Sequence, residues 1–214
     1  MILNYTWPHL FLNNRVIAYQ GRPHIIKIKE GQCPAIYHQC SNITIVTGKG
    51  TSLSFNQSHL IKYQLLNWIK MNALKQVIGL IDKYGSEMGK RPRRCGVKLT
   101  CSRWGSLGIN NDICINWLLI CAPDYVLEYV VIHELCHLFY RSHGIRFWNT
   151  VNQWCPTYRQ AERWLRSYQA RDLLTWYAPI KSMKHQHQDR LLSKLISVEF
   201  KPSHKVDILS KNSL

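Results

Sequence analysis

Residues 130–148 read "VVIHELCHLFYRSHGIRFW" (Val130–Trp148), and the three histidines and one glutamate in that stretch decide both fold and chemistry. His133 and His137 are four residues apart, so on a helix they project from one face, one turn above the other. Two imidazoles so placed can bind one metal ion, at about 2.0–2.1 Å per zinc–nitrogen bond. Glu134 follows the first histidine, where it can hydrogen-bond a metal-bound water instead of ligating the ion. Zinc lowers the pKa of that water to about 7, and the carboxylate can then take its proton. This is the mechanical content of HExxH on a helix. With 10 histidines and 6 glutamates in 214 residues, composition alone supplies about 0.01 chance copies of the pattern. Val126, Val130, Val131 and Ile132 predict a largely buried helix, in which one carboxylate and two imidazoles without a task would be costly.

A catalytic zinc usually keeps three protein ligands and one open position. His143, six residues after His137, is the natural third. A continuing helix would carry it away from the site, so the chain must turn first. Ser142 and Gly144 flank it, and glycine tolerates the backbone angles of a turn. The spacing equals that of the metzincins, but Tyr140 stands where they carry glycine. Glu162 is the rival ligand. It sits in an arginine-rich helix, where an ion pair with Arg159 or Arg166 accounts for it, and His143 is favoured.

Working outward, "HIIKIKE" from His24 and "ITIVTG" from Ile43 read as short strands. Ser58 reads as the N-cap of a long amphipathic helix with Ile61, Leu65, Trp68, Ala73, Val77 and Ile81 on its apolar face, stopped by Gly85. "GKRPRRC" is a basic loop, whose Arg91, Arg93 and Arg94 can either hold phosphate or stand in solvent. "GVKLTCSRW" and "DICINWLLI" read as strands, with Asn110, Asn111 and Asp112 as turn residues. Ala122-Pro123-Asp124 opens the metal helix, the proline in its first turn and the acid favoured by the dipole. A further helix starts at Thr157. From about Lys181 the chain turns polar and basic, and His185 and His187 read as part of a solvated tail. The expected division is a β-rich segment over 1–57, a core over 58–178 and a basic tail over 179–214. The fold class expected is α+β.

The 28 Lys+Arg against 12 Asp+Glu give a formal net charge of +16. Such a field concentrates phosphates, nucleic acid or acidic polypeptides, or serves solubility alone. No apolar run approaches the roughly 18 residues of a membrane span, and the N-terminus lacks the basic and apolar regions of a secretory signal. Eight cysteines form no CxxC pair, which argues against a zinc ribbon and for reduced thiols. The compartment expected is the cytoplasm.

Further blocks extend the pattern: "SRWGS" at 102–106, "INW" at 115–117, "AP" at 122–123, "YVVIHELCHL", then His143 with "FW" after it, and "CPTYRQAERWL". In this order and spacing the chain resembles the YgjP-like metallopeptidase-domain proteins, relatives of the SprT and WLM zincins, from about Ser58 to Leu173. The resemblance implies a zincin-like fold with an HExxH active-site helix, metal ligands at His133, His137 and His143, and a general base at Glu134. It also implies an edge strand near Arg103–Ser106 beside the cleft, where an extended peptide can pair by backbone hydrogen bonds. Trp104 reads equally as core. Leu107 and Leu118 depart from the family pattern, and Cys136 stands in place of alanine. Unlike many SprT proteins, this chain has no cysteine-pair ribbon.

Three functions are compatible with these residues. The first is a zinc peptidase acting on peptide or protein, with Ni²⁺, Co²⁺ or another divalent metal as alternatives to Zn²⁺. The second is a nucleoside triphosphate pyrophosphatase using the same site. The third is a basic protein associated weakly with nucleic acid, presenting its protease to DNA-bound proteins.

Overall fold

The computed structural model describes residues 16–48, 55–100, 102–174, 196–200 and 206–209. The tail histidines His185 and His187 lie outside these. The described chain is α+β, as expected, with two small mixed sheets.

In the first sheet β1 (Val16–Tyr19) pairs antiparallel with β2 (Arg22–Glu30), and β2 runs parallel to β4 (Asn42–Thr47). β4 in turn pairs antiparallel with the edge strand β3 (Ala35–Gln39). Alternation places Ile26, Ile43 and Ile45 inward, while Ile25 and Lys27 face solvent. The β1–β2 turn is tied to the rest of the chain by Gln20 N–H donating to Ile120 O at 2.7 Å. Its Gly21, at φ +69, approaches Pro123 so closely that a β-carbon would lie 2.8 Å from the proline Cα.

Helix α1 (Phe55–Glu87) buries Ile61, Leu65, Leu66, Ile69, Ala73, Leu74, Val77 and Ile81, a stripe spaced by threes and fours. It begins at Phe55, so Ser58 lies inside it rather than at its cap. It also runs past Gly85, and the left-handed turn falls at Gly89 (φ +71).

The second sheet has the order β6-β7-β5-β8-β9. β5 (Arg94–Lys98) runs parallel to β7 (Asp112–Asn116), and β6 (Gly105–Leu107) pairs antiparallel with β7. The strand read over 96–104 therefore stops at Lys98, and the edge strand starts at Gly105. β7 ends at Asn116, whose amide donates to Thr100 O (2.7 Å) and accepts from Leu118 N–H (3.1 Å). That double bond turns "WLLIC" into a buried 3-10 turn instead of more strand. On the other side of β5, β8 (Ile196–Phe200) and β9 (Val206–Leu209) form an antiparallel pair drawn from the basic C-terminal stretch. Val198 is fully buried there, and Glu199 forms ion pairs with Arg93 and Arg94.

Helix α2 (Asp124–Cys136) crosses the middle of the molecule. Pro123 is its N-cap, one position earlier than read, and Asp124 opens its first turn. α3 (Ile145–Trp154) and α4 (Tyr158–Leu165) pack against it. The helix expected from Thr157 is interrupted at Arg166–Ser167, where the Ser167 hydroxyl donates to Trp164 O at 2.6 Å, and resumes over 168–174.

Candidate metal centre

α2 ends at the second histidine. His137 is its C-cap, and Leu138 and Phe139 donate to carbonyls three residues back, tightening the last turn. The chain then reverses, and α3 begins after Gly144. That glycine has φ −73 and ψ −179, ordinary extended backbone, so the reversal makes no use of glycine's freedom. Lys90 holds the turn from outside by donating to Leu138 O at 2.8 Å.

The reversal brings His143 back to the other two histidines. One nitrogen from each of His133, His137 and His143 lies within 4.8 Å of the others. His133 Nε2 and His143 Nε2 are 3.1 Å apart. The far nitrogens are fixed separately: His137 Nδ1 donates to Tyr140 O (3.0 Å), and His133 Nδ1 meets the Tyr129 hydroxyl (3.4 Å). Contacts of this kind to the far ring nitrogen set which nitrogen is left for a metal. Burial and the two neighbouring imidazoles push the His133 pKa down to about 3, and burial lowers that of His137. Both rings are therefore neutral at physiological pH, the form that binds metal.

His143 is exposed, and no hydrogen bond fixes its outer nitrogen among the described residues. Stacking holds it instead. Its ring lies 5.7 Å from Trp148 at an interplanar angle of 27°, and Trp148 stacks on Tyr158 at 5.5 Å. Tyr158 stacks on Tyr129, which returns the chain of contacts to His133. Phe147, fully buried, touches all three imidazoles, with centroids 4.9, 4.6 and 4.7 Å away. Phe147 and Trp148 thus wall the metal helix. Tyr129 was not singled out, although its place four residues before His133 puts it on the same helix face.

Glu134 packs against Gly105 at the start of β6. It is 5 % exposed, and its Oε2 has no hydrogen-bond partner among the described residues. Burial pushes its carboxyl up to about 8, against the opposing field of Arg103. Room for it exists because residue 105 is glycine: a β-carbon there would lie 2.5 Å from Glu134 Oε1. Glu162 is not part of the cluster. It lies on α4, with Arg166 3.9 Å away.

Three imidazoles of suitable separation, beside a buried carboxyl group, form a donor set that fits zinc and other late divalent metals. They open into a cleft of about 470 Å³, bounded on the strand side by Ser102, Arg103, Gly105 and Leu107 and on the loop side by Arg141. Cys136, between the ligand positions, is buried with its thiol pushed up to about 12, which makes it a packing residue. The arginines of the basic loop are paired: Arg91 with Asp82 (3.0 Å), Arg93 with Asp112 (2.6 Å) and Arg94 with Glu199. Among the described residues no helix is long and apolar enough to cross a membrane.

Comparison with known proteins returned a match to one family model, described as "YgjP-like, metallopeptidase domain", over residues 5–168. Neither the search of curated proteins nor that of solved structures returned a match. The match spans most of the chain and takes in the HExxH helix, His143 and the strand that shelters Glu134: the chain belongs to the YgjP-like family of metallopeptidase-domain proteins.

Proposed function

We propose that the chain is a zinc-dependent metallopeptidase with a zincin-like active site, in which His133, His137 and His143 hold the ion and Glu134 is the general base. The observation that carries this reading is the buried Glu134 carboxylate, with a partnerless oxygen, in the same cleft as the three imidazoles. The ion, when bound, supplies Lewis-acid polarisation of a carbonyl and acidifies water. Burial alone keeps this group largely protonated; a cation bound beside it would favour the ionised form, in which Glu134 accepts the proton of the attacking water and returns it to the leaving amine. Gly105 and the flanking burial hold that carboxylate in place and keep bulk water from it. Among the described residues β6 pairs with β7 on one side only, which leaves its outer edge for an extended peptide to pair with.

The basic loop that sequence offered for gripping a phosphoanhydride is committed to Asp82, Asp112 and Glu199, whereas the outer edge of β6 suits an extended peptide. Peptide is therefore the substrate class supported. The test is elemental analysis and cleavage of a peptide library by wild type, Glu134→Gln and His143→Ala. Glu134→Gln is expected to keep its metal and lose cleavage, and His143→Ala to lose both. Metal-loaded wild type inert on the library, but active on nucleoside triphosphates, would overturn the reading.

A further inference from the structure

Arg103 is set apart from the other arginines around it. Arg91, Arg93 and Arg94 are ion-paired, and Arg141 spends two guanidinium donors on Gly108 O (3.0 Å) and on Asn111 Oδ1. The Arg103 backbone is fixed, its carbonyl accepting from the Thr100 hydroxyl at 2.6 Å, yet its guanidinium has no hydrogen bond or ion pair among the described residues. It is exposed, and it lines the cleft that holds His133, Glu134, His137 and His143. Among the described residues Glu134 is the only acid lining that cleft and Leu107 its only aliphatic side chain. The other side chains that line it are polar or charged, so charge is a feature by which it can sort substrates. What it offers is positive charge at two places. Arg103 lies just before β6, and Arg141 is anchored on the turn just after it. An extended segment laid along β6 would pass both.

We propose that Arg103 is a specificity-determining residue that selects substrate peptides carrying a carboxylate close to the scissile bond, with Arg141 reinforcing the field from the far end of β6. This rests on the metallopeptidase reading. The planar fork of a free guanidinium matches a carboxylate with two parallel hydrogen bonds. The carboxylate can come from an Asp or Glu side chain or from a peptide C-terminus.

The experiment uses metal-loaded full-length protein and matched peptides that differ only in Glu, Ala or Lys near the scissile bond, each with a free or an amidated C-terminus. Cleavage is read as kcat/KM, and binding as the anisotropy of labelled peptides on the Glu134→Gln variant. Glu peptides are expected to exceed Ala peptides by about fivefold, the upper range of an exposed charge pair. Arg103→Ala should remove the difference, Arg103→Lys should keep part of it, and Arg103→Glu should turn the preference towards Lys. A preference that disappears on amidation assigns the carboxylate to the C-terminus, and one that survives assigns it to the side chain. Wild-type cleavage with no charge preference, or a preference that Arg103→Glu leaves unchanged, would overturn the inference alone. Failure to cleave any peptide would overturn the metallopeptidase reading and this inference together.

Discussion

Glu134 rests on the α-carbon of Gly105: a methyl group at residue 105 would come within 2.5 Å of its Oε1, 2.9 Å of its Cγ and 3.0 Å of its Cδ. The carboxylate is fully enclosed on that side by backbone, and α2 cannot withdraw without disturbing the core it shares with α1. Gly105→Ala must therefore displace the Glu134 side chain or the edge strand that faces it. Misplacement by about 1 Å costs on the order of 10²-fold in rate. We expect a loss of that size in kcat with metal content unchanged, checked by peptide turnover beside elemental analysis.

The third histidine is the one held only by ring contacts. Trp148→Ala removes the face on which His143 stacks while leaving the hydrogen bonds of His133 and His137 intact. Loss of a supporting contact to a ligand typically weakens metal affinity by about 10–100-fold. Chelator competition should show a loss in that range for Trp148→Ala and a smaller one for Trp148→Phe. Phe147→Ala opens a cavity under all three rings and should cost about 3–5 kcal/mol in a urea titration.

Alkaline behaviour follows from buried thiols and one buried lysine. Burial raises the pKa of Cys95, Cys121 and Cys136 from 9.0 to about 12, so the fold holds protons that the unfolded chain releases above pH 9. Their contribution is fully present below pH 9 and is lost as pH rises towards 12. Lys70 has the opposite sign: burial lowers its pKa from 10.5 to about 8, so stability rises with pH between those values. Urea midpoints should fall between pH 9 and pH 10, where three thiols outweigh one amine. At pH 8 a thiol reagent should label the exposed Cys33 and Cys40 quickly, and Cys95, Cys121 and Cys136 only on unfolding.

The C-terminal pair of strands is tied on by a buried side chain and by charge. Val198→Ala should cost about 2 kcal/mol. Glu199→Ala should cost about 1 kcal/mol by unpairing Arg94 on the neighbouring strand, with a smaller effect at high salt. Denaturant titrations at two ionic strengths separate the two contributions.

The metal helix was legible because its chemistry is periodic: His133 and His137 share a face, and the valines around them read as buried. The stripe on α1 was legible for the same reason. Its ends were not, since Ser58 and Gly85 carry the right chemistry for caps and tertiary packing extends the helix past both. β1 and β3 escaped notice because the first has four residues and the second is mostly exposed, leaving little alternation to see. β8 and β9 lie in a basic, polar stretch, and nothing local signals that β5 needs an antiparallel neighbour. In the site, ligand spacing was local and readable, whereas the fit of Glu134 on Gly105 joins positions 29 residues apart and needed the sheet.

The three ligand positions fall within residues 133–143, on either side of a single reversal that uses no left-handed residue. Closing so short a loop costs little chain entropy, so metal capture is a property of one segment more than of the whole fold. An unfolded or nascent chain retains part of that affinity, which reduces the stability that bound metal adds to the native state. The carboxylate differs, because its setting exists only once β6 is docked. On the proposed reading, metal uptake and hydrolytic competence are thus acquired at different stages of folding, and a partly folded chain would carry the ion without the activity.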